Sequence, residues 1–197
     1  MNPKDYLEKT AKESITTKEA FLKEYGPAII QAAEMIGTCI NKGGKVLVMG
    51  NGGSAADAQH MAAEMVGNML VKRRPLAAIA LTTDTSNLTA IGNDFGYELV
   101  FVKQIEALAK EGDVVIGITT SGKSKNILAG AECARKLGCK VIGLTGGSGG
   151  LLKPLCDVFL CVSLGANSSR IQESHIFAVH SLVDLTDRFF LEASAKG

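Results

Sequence analysis

The chain has 197 residues, of which 46% are hydrophobic and only 5% aromatic, and a formal net charge of +1. A chain of this size buries roughly 70% of its unfolded surface as one domain, so it needs no disulfide framework. The near-neutral charge excludes a bulk electrostatic drive toward nucleic acid or an anionic membrane, and no apolar run approaches the ~18 residues of a membrane span. The first twelve residues are charged rather than signal-like, so the expected compartment is the cytoplasm. The five cysteines (Cys39, Cys133, Cys139, Cys156 and Cys161) form no C-x-x-C pair and read as reduced thiols. Cys156 and Cys161 flank the apolar run Val158–Leu160 and are expected in the core.

In chain order, Asp5–Asn41 carries helical periodicity, with a break expected near Gly26–Pro27. Ile29, Ile30, Ala33, Ile36 and Ile40 would be the apolar stripe of the second helix, which Gly43–Gly44 stops. Lys45–Met49 reads as the first buried strand, and Ser54–Gly67 as a helix with Ser54 as N-cap. The alternation continues with strand Leu76–Leu81, a short helix or turn at Thr85–Gly92, helix Tyr97–Ala109 and strand Asp113–Ile118. Helix Ser124–Leu137 is closed by Gly138; strands Lys140–Leu144 and Val158–Val162 follow, then a long helix over roughly Ser168–Ala193. Strands separated by helices predict an α/β fold, a parallel sheet covered on both faces. The division expected is an N-terminal helical extension over residues 1–42 and an α/β domain over 43–197. Ligands of such sheets bind beyond the carboxyl ends of the strands. The candidate loops are therefore Gly50–Ser54, Thr82–Asp84, Thr119–Ser124 and Thr145–Gly150.

Two motif matches mislead. Gly117–Ser124 satisfies the P-loop pattern G-x-x-x-x-G-K-[ST]. Gly117, however, reads as strand, and no later strand ends in the acidic residue that would hold magnesium. Gly50–Ala55 fits G-x-G-x-x-[GA], but Lys72–Arg74 stand where the ribose-binding acid belongs, so no nucleotide cofactor is expected. What the two loops share is site chemistry: glycines that expose N–H groups at a helix start, and hydroxyls that donate to phosphate oxygens. Ser54 and Ser124 serve either helix capping or substrate binding. An abundance of hydroxyls with little fixed charge suits a monophosphate ester.

Groups able to move protons are few. His60 and Glu64 stand at i and i+4, one turn apart on one helix face. In the last helix Gln172, Glu173 and His180 form a polar group in an otherwise apolar pattern, with Glu173 and His180 nearly in line. A histidine in so apolar a helix needs a partner or a function, and imidazole can be general acid, general base or metal ligand. His175 points elsewhere, as a bystander or an interface residue.

Met49–Ser54, Asp57–Glu64, Ile91–Phe95, Thr119–Ser124, Leu144–Gly146 and Arg170–Glu173 followed by His180 together resemble the sugar isomerase (SIS) domain and, within it, the phosphoheptose isomerases. The resemblance covers essentially the whole chain. It implies a flavodoxin-like three-layer sandwich with a central parallel sheet and a homotetramer with sites shared between subunits. The implied reaction converts D-sedoheptulose 7-phosphate to D-glycero-D-manno-heptose 7-phosphate, the first step toward the nucleotide-activated heptose of bacterial surface glycans such as lipopolysaccharide. Carried over by position, Glu64 would be the base acting through a cis-enediol and His180 its acid/base partner. Thr119, Thr120, Ser121 and Ser124 would hold the phosphate; Asn51, Gly52, Gly53, Ser54, Asn93, Asp94 and Gln172 would contact the substrate. Some members bind zinc, one ion per subunit, through residues matching His60, Glu64, Gln172 and His180.

The chain departs from the family pattern at four places. Thr119 stands for a common Ser, Lys123 for Asn, and Ala55 and Ser169 for the His and Asp of some members. Non-enzymatic relatives bind a replication initiator and lack the glutamate or the second histidine, whereas this chain keeps Glu64 and His180. An isomerase or sensor for another ketose phosphate is the remaining alternative.

Overall fold

The computed structural model describes residues 2–164 and 167–194. Helix α1 runs over Pro3–Asn41, followed by β1 (Val46–Gly50), α2 (Gly53–Val66), β2 (Ala78–Ala80), α3 (Thr85–Phe95), a 3-10 turn at Tyr97–Leu99 and α4 (Val100–Leu108). Then come β3 (Val114–Thr119), α5 (Lys125–Lys136), β4 (Lys140–Gly146), β5 (Val158–Val162) and α6 (Ser168–Ser194). The five strands are all parallel in the order β2-β1-β3-β4-β5. This is the flavodoxin-like order, which reverses direction at β1 and β3.

The strands read as continuous apolar runs because both faces of the sheet are covered. Val46 and Val48 of β1 pack with α1, α2 and α6, while Leu47 and Met49 point to the other face, toward α4 and α5. The expected second strand shortens to three residues at the sheet edge, and the 97–109 helix divides into the 3-10 turn and α4.

The break expected at Gly26–Pro27 is absent: α1 continues through Pro27 for 39 residues. An internal proline costs about 3 kcal/mol of helix stability, but the turns on either side are anchored. Phe21 before it, and Ile29, Ala32, Ala33, Ile36 and Ile40 after it, are buried in one cluster with α6 and β5. Ile30, counted in the apolar stripe, instead faces outward at 46% exposure. All five cysteines are free, and burial pushes the thiol of Cys156 up to about 12. No helix among the described residues is long and apolar enough to cross a membrane.

Candidate active site

At the switch point, the loops leaving β1 and β3 enclose a cavity of about 120 Å³ lined by Asn51, Ser54, Ile118 and four hydroxyl-bearing residues, Thr119, Thr120, Ser121 and Ser124, with Gln172 of α6 closing it. Thr119 Oγ1 lies 3.1 Å from Ser124 Oγ and 3.4 Å from Ser121 Oγ. Ser124 is the N-cap of α5, yet its hydroxyl makes no capping bond. Helix α2 likewise starts without a side-chain cap: the cap is Gly52, with φ +56°, and Ser54 sits buried inside the first turn rather than at its edge. Two helix N-termini whose cap residues make no side-chain bond meet these hydroxyls, a cradle whose geometry suits an anion.

Glycine is required at two positions in this wall. A Cβ on Gly53 would lie 2.5 Å from Gln172 Nε2, so its absence lets α6 approach the β1 loop. A Cβ on Gly122, at φ +62°, would lie 2.0 Å from Gly149 O. The Thr145–Gly150 loop thus buttresses the cradle instead of lining it, and Leu151 N donates to Gly122 O at 2.8 Å. The Thr82–Asp84 loop does not line it either. Thr82 Oγ1 donates to Ala55 O, and Asp84 caps α3. Gly117 lies inside β3, with a Cβ position 3.1 Å from Ile127 Cγ2, so the P-loop letters do not correspond to a P-loop.

Asn51 is fixed by groups the sequence did not single out. Its amide exchanges two 2.9 Å hydrogen bonds with Asn126, and its oxygen also accepts from Tyr97 Oη at 3.2 Å. An asparagine one residue into the α5 pattern, on the strand side, was the available signal.

Next to the cradle, α2 and α6 bring three side chains together. His60 Nε2 lies 3.0 Å from Glu64 Oε1, and His180 Nε2 lies 3.1 Å from His60 Nε2 and 3.7 Å from Glu64 Oε1. A His60 Nε2 that donates to Glu64 cannot also accept from His180, since a protonated ring nitrogen has no lone pair to accept with. Three donor atoms converging in this way form a set that can hold a metal ion. Zinc bonded at ~2.0–2.1 Å in a tetrahedron separates its ligand atoms by about 3.3 Å, so the donor set fits. Glu64 Oε2 is buried and has no protein partner.

A cavity of about 460 Å³ opens beside the cluster, lined by Asp57, His60, Ser169, Gln172 and Glu173 among others. Gln172 belongs to the walls of both cavities, which therefore adjoin. Burial raises the Asp57 carboxyl above its ordinary value, with His60 opposing, and Asp57 Oδ2 has no partner. Asp57 was passed over in the sequence although it precedes His60 by one helical turn.

Glu173 does not join His180. It pairs with Arg170, and Glu64 takes the place beside His180. His175 is neither interface nor solvent-facing: it is fully buried, bonds Thr145 O at 3.0 Å, and burial lowers its pKa to about 4. Asn93 and Asp94 stand exposed on α3, hydrogen-bonded to each other at 2.8 Å, and line neither cavity.

The SIS domain family matches residues 11–146. A phosphoheptose isomerase of Geotalea uraniireducens is 52% identical over 170 residues, covering 86% of this chain and 89% of the relative. A probable phosphoheptose isomerase of Thermoplasma acidophilum is 47% identical over 190 residues, covering 96% of this chain and all of the relative. Among solved structures, a phosphoheptose isomerase from Francisella tularensis superposes with a TM-score of 0.91 at 43% identity, covering 95% of this chain and 100% of that one. The phosphoheptose isomerase GmhA of Neisseria gonorrhoeae gives 0.88 at 45% identity, over 94% and 98% of the two chains. With a family match over most of its length, relatives near half identity and the same parallel sheet, the chain belongs to the SIS domain family and, within it, to the phosphoheptose isomerases.

Proposed function

We propose that this site interconverts D-sedoheptulose 7-phosphate and D-glycero-D-manno-heptose 7-phosphate, the entry to activated heptose for bacterial surface glycans. The observation that carries the reading is the meeting of Glu64 and His180, at 3.7 Å, beside a hydroxyl-lined cradle sized for one phosphate. The relatives' activity supports the same substrate. Retention of both Glu64 and His180 favours an enzyme over a non-catalytic binding protein.

The phosphate binds against Thr119, Thr120, Ser121 and Ser124 and the N-terminal N–H groups of α5, where the helix dipole favours its charge. Asn51, Ser54 and Gln172, which line the cradle, would position the sugar together with Gly52 and Gly53 of the same loop. Glu64 removes a proton from C1 of the ketose while His180 protonates the C2 oxygen, giving a cis-enediol. His180 then takes the proton from the C1 hydroxyl as Glu64 returns its proton to C2, leaving the aldehyde at C1. No electrons leave the sugar, so no redox cofactor is needed.

Zinc would be held by His60, Glu64 and His180, with Gln172 as fourth ligand. When bound, it supplies Lewis-acid polarisation of a sugar oxygen. A coordinated Glu64 is a weaker base, so metal analysis paired with activity before and after chelation separates the two roles of this residue. The homotetramer is supported by exposed apolar groups: Tyr6, Leu7, Ile15 and Leu22 on α1, Phe95 at the end of α3, which buries none of its own residues, and Tyr97 in the 3-10 turn after it. In such an assembly Asn93 and Asp94 would complete a neighbour's site.

The test is conversion of sedoheptulose 7-phosphate by the purified protein, followed by NMR of the aldose signals. Glu64→Gln is expected to lower turnover by about 10²–10⁴ with substrate binding retained. Unchanged turnover in that variant overturns the assignment of the base.

A further inference from the structure

Helix α2 carries His60 and Glu64, and its C-terminal end leaves backbone carbonyls without partners inside the helix. The chain after it folds back, so that Leu76 N donates to Met65 O at 3.0 Å and Leu76 is buried. This return brings in Arg73, whose side chain is wholly buried. Its Nη2 donates to Glu64 O at 3.0 Å, its Nη1 to Gly67 O at 2.7 Å, and its Nε to Asp187 Oδ1 at 2.6 Å. The guanidinium thus acts as a cationic cap on α2 and is bonded to α6 through Asp187. Asp187 stands seven residues beyond His180, two turns along and about 20° around the helix, so it lies on the face that carries His180.

We infer that Arg73 is a positioning residue for this site: held between Glu64 O and Asp187, it sets the spacing of α2 and α6 and so the approach of His180 to His60 and Glu64. The inference rests on the isomerase reading only for its kinetic consequence. The backbone oxygen that Arg73 holds belongs to the same residue as the proposed base, so a shift at the guanidinium moves the Glu64 Cα directly. A lysine cannot replace it, because a single ammonium lacks the planar fork that reaches three acceptors on two elements. The residue also answers a local excess of negative charge. Glu64 Oε2, Asp184 Oδ1 and Asp187 Oδ2 are all buried without a partner. The cradle's hydroxyls come chiefly from the β3 loop, Thr119–Ser124, which Arg73 does not touch, so its loss is expected to act on kcat more than on KM.

Two variants test this. Arg73→Lys keeps the charge and removes the fork. The pair Arg73→Met with Asp187→Leu removes both charges, which avoids stranding a buried carboxylate and keeps the fold testable if the single variant unfolds. For each, kcat and KM are measured on the heptose phosphate, together with thermal unfolding and the imidazole NMR signals of chelator-treated protein. In both variants the expected result is a fall in kcat of about 10–100-fold with little change in KM. The ring signals of His60 and His180 should shift while that of His175 stays in place. A variant that only melts earlier, with wild-type kcat while folded and unmoved His60 and His180 signals, overturns the inference. If the wild-type protein does not turn over heptose phosphate, the isomerase reading fails, and the imidazole signals alone still decide the role of Arg73.

Discussion

The phosphate cradle and the His–Glu–His cluster adjoin, sharing Gln172 between their walls, but they are built in opposite ways. The cradle takes its hydroxyls from six consecutive residues, Thr119–Ser124, and from a second short loop, and it works through N–H groups and hydroxyls at helix starts. The cluster takes two side chains from α2 and one from α6, with His60 and His180 120 residues apart in sequence. The cradle presents donors to a charge that does not change in the reaction. The cluster presents groups that change protonation, and their value depends on tertiary spacing. Binding and chemistry should therefore separate on mutation.

The largest break in that separation is expected at His180. Replacing it with Asn removes the proton carrier for the sugar oxygens, and kcat should fall by about 10²–10⁴ with KM preserved. Steady-state kinetics on the heptose phosphate check this, and a variant that loses affinity rather than turnover would merge the two regions into one. Ser124→Ala addresses the other side. A hydrogen bond to a charged group contributes about 1.5–3 kcal/mol, so KM should rise by roughly 10–100-fold at nearly constant kcat. A kcat effect there would mean that the cradle takes part in the proton transfers.

The smallest effect is on stability and sharpens the contrast through the third histidine. His175 shares α6 with Gln172 and His180 but turns into the sheet, and its folded-state pKa of about 4 lies below the ordinary value of 6.5. The folded protein therefore resists a proton that the unfolded chain accepts. Its contribution is complete above pH ~6.5 and declines as the pH falls toward 4, by at most about 3 kcal/mol. Denaturant unfolding of the wild type and of His175→Gln over that range gives the difference between the curves, which isolates this group from nearby carboxylates. Parallel curves would remove His175 from the account.

Much of this organisation was legible in the sequence. All five strands were located: β1, β3 and β4 as valine- and isoleucine-rich runs ending in glycine or threonine, β5 as a continuous apolar run, and β2 only within a longer expected segment. The pairing of His60 with Glu64 was equally local, fixed by helical spacing. The break at Pro27 failed for the opposite reason: a local penalty lost to the burial of α1 against α6 and β5. Ser54 failed as a cap because Gly52, with its positive φ, starts the helix earlier. Glu173, nearly in line with His180 on α6, is held by Arg170 one turn away on the same helix. The P-loop letters were set aside in the sequence because Gly117 reads as strand, and the structure agrees, with Ile127 packed over its missing Cβ.

The sequence by itself determined the alternation of strands and helices, the hydroxyl-rich loops that follow β1 and β3, and the scarcity of proton-moving groups. Each of these depends on neighbours within a turn or a loop. Only the tertiary structure decided which helix faces which. It set the distances at which His180 meets His60 and Glu64, sent His175 into the core, and placed Arg73 between two helices that carry the reacting groups. Those outcomes depend on how α1, α2 and α6 pack over one face of the sheet, where a rotation of a helix by a fraction of a turn exchanges a partner for a bystander.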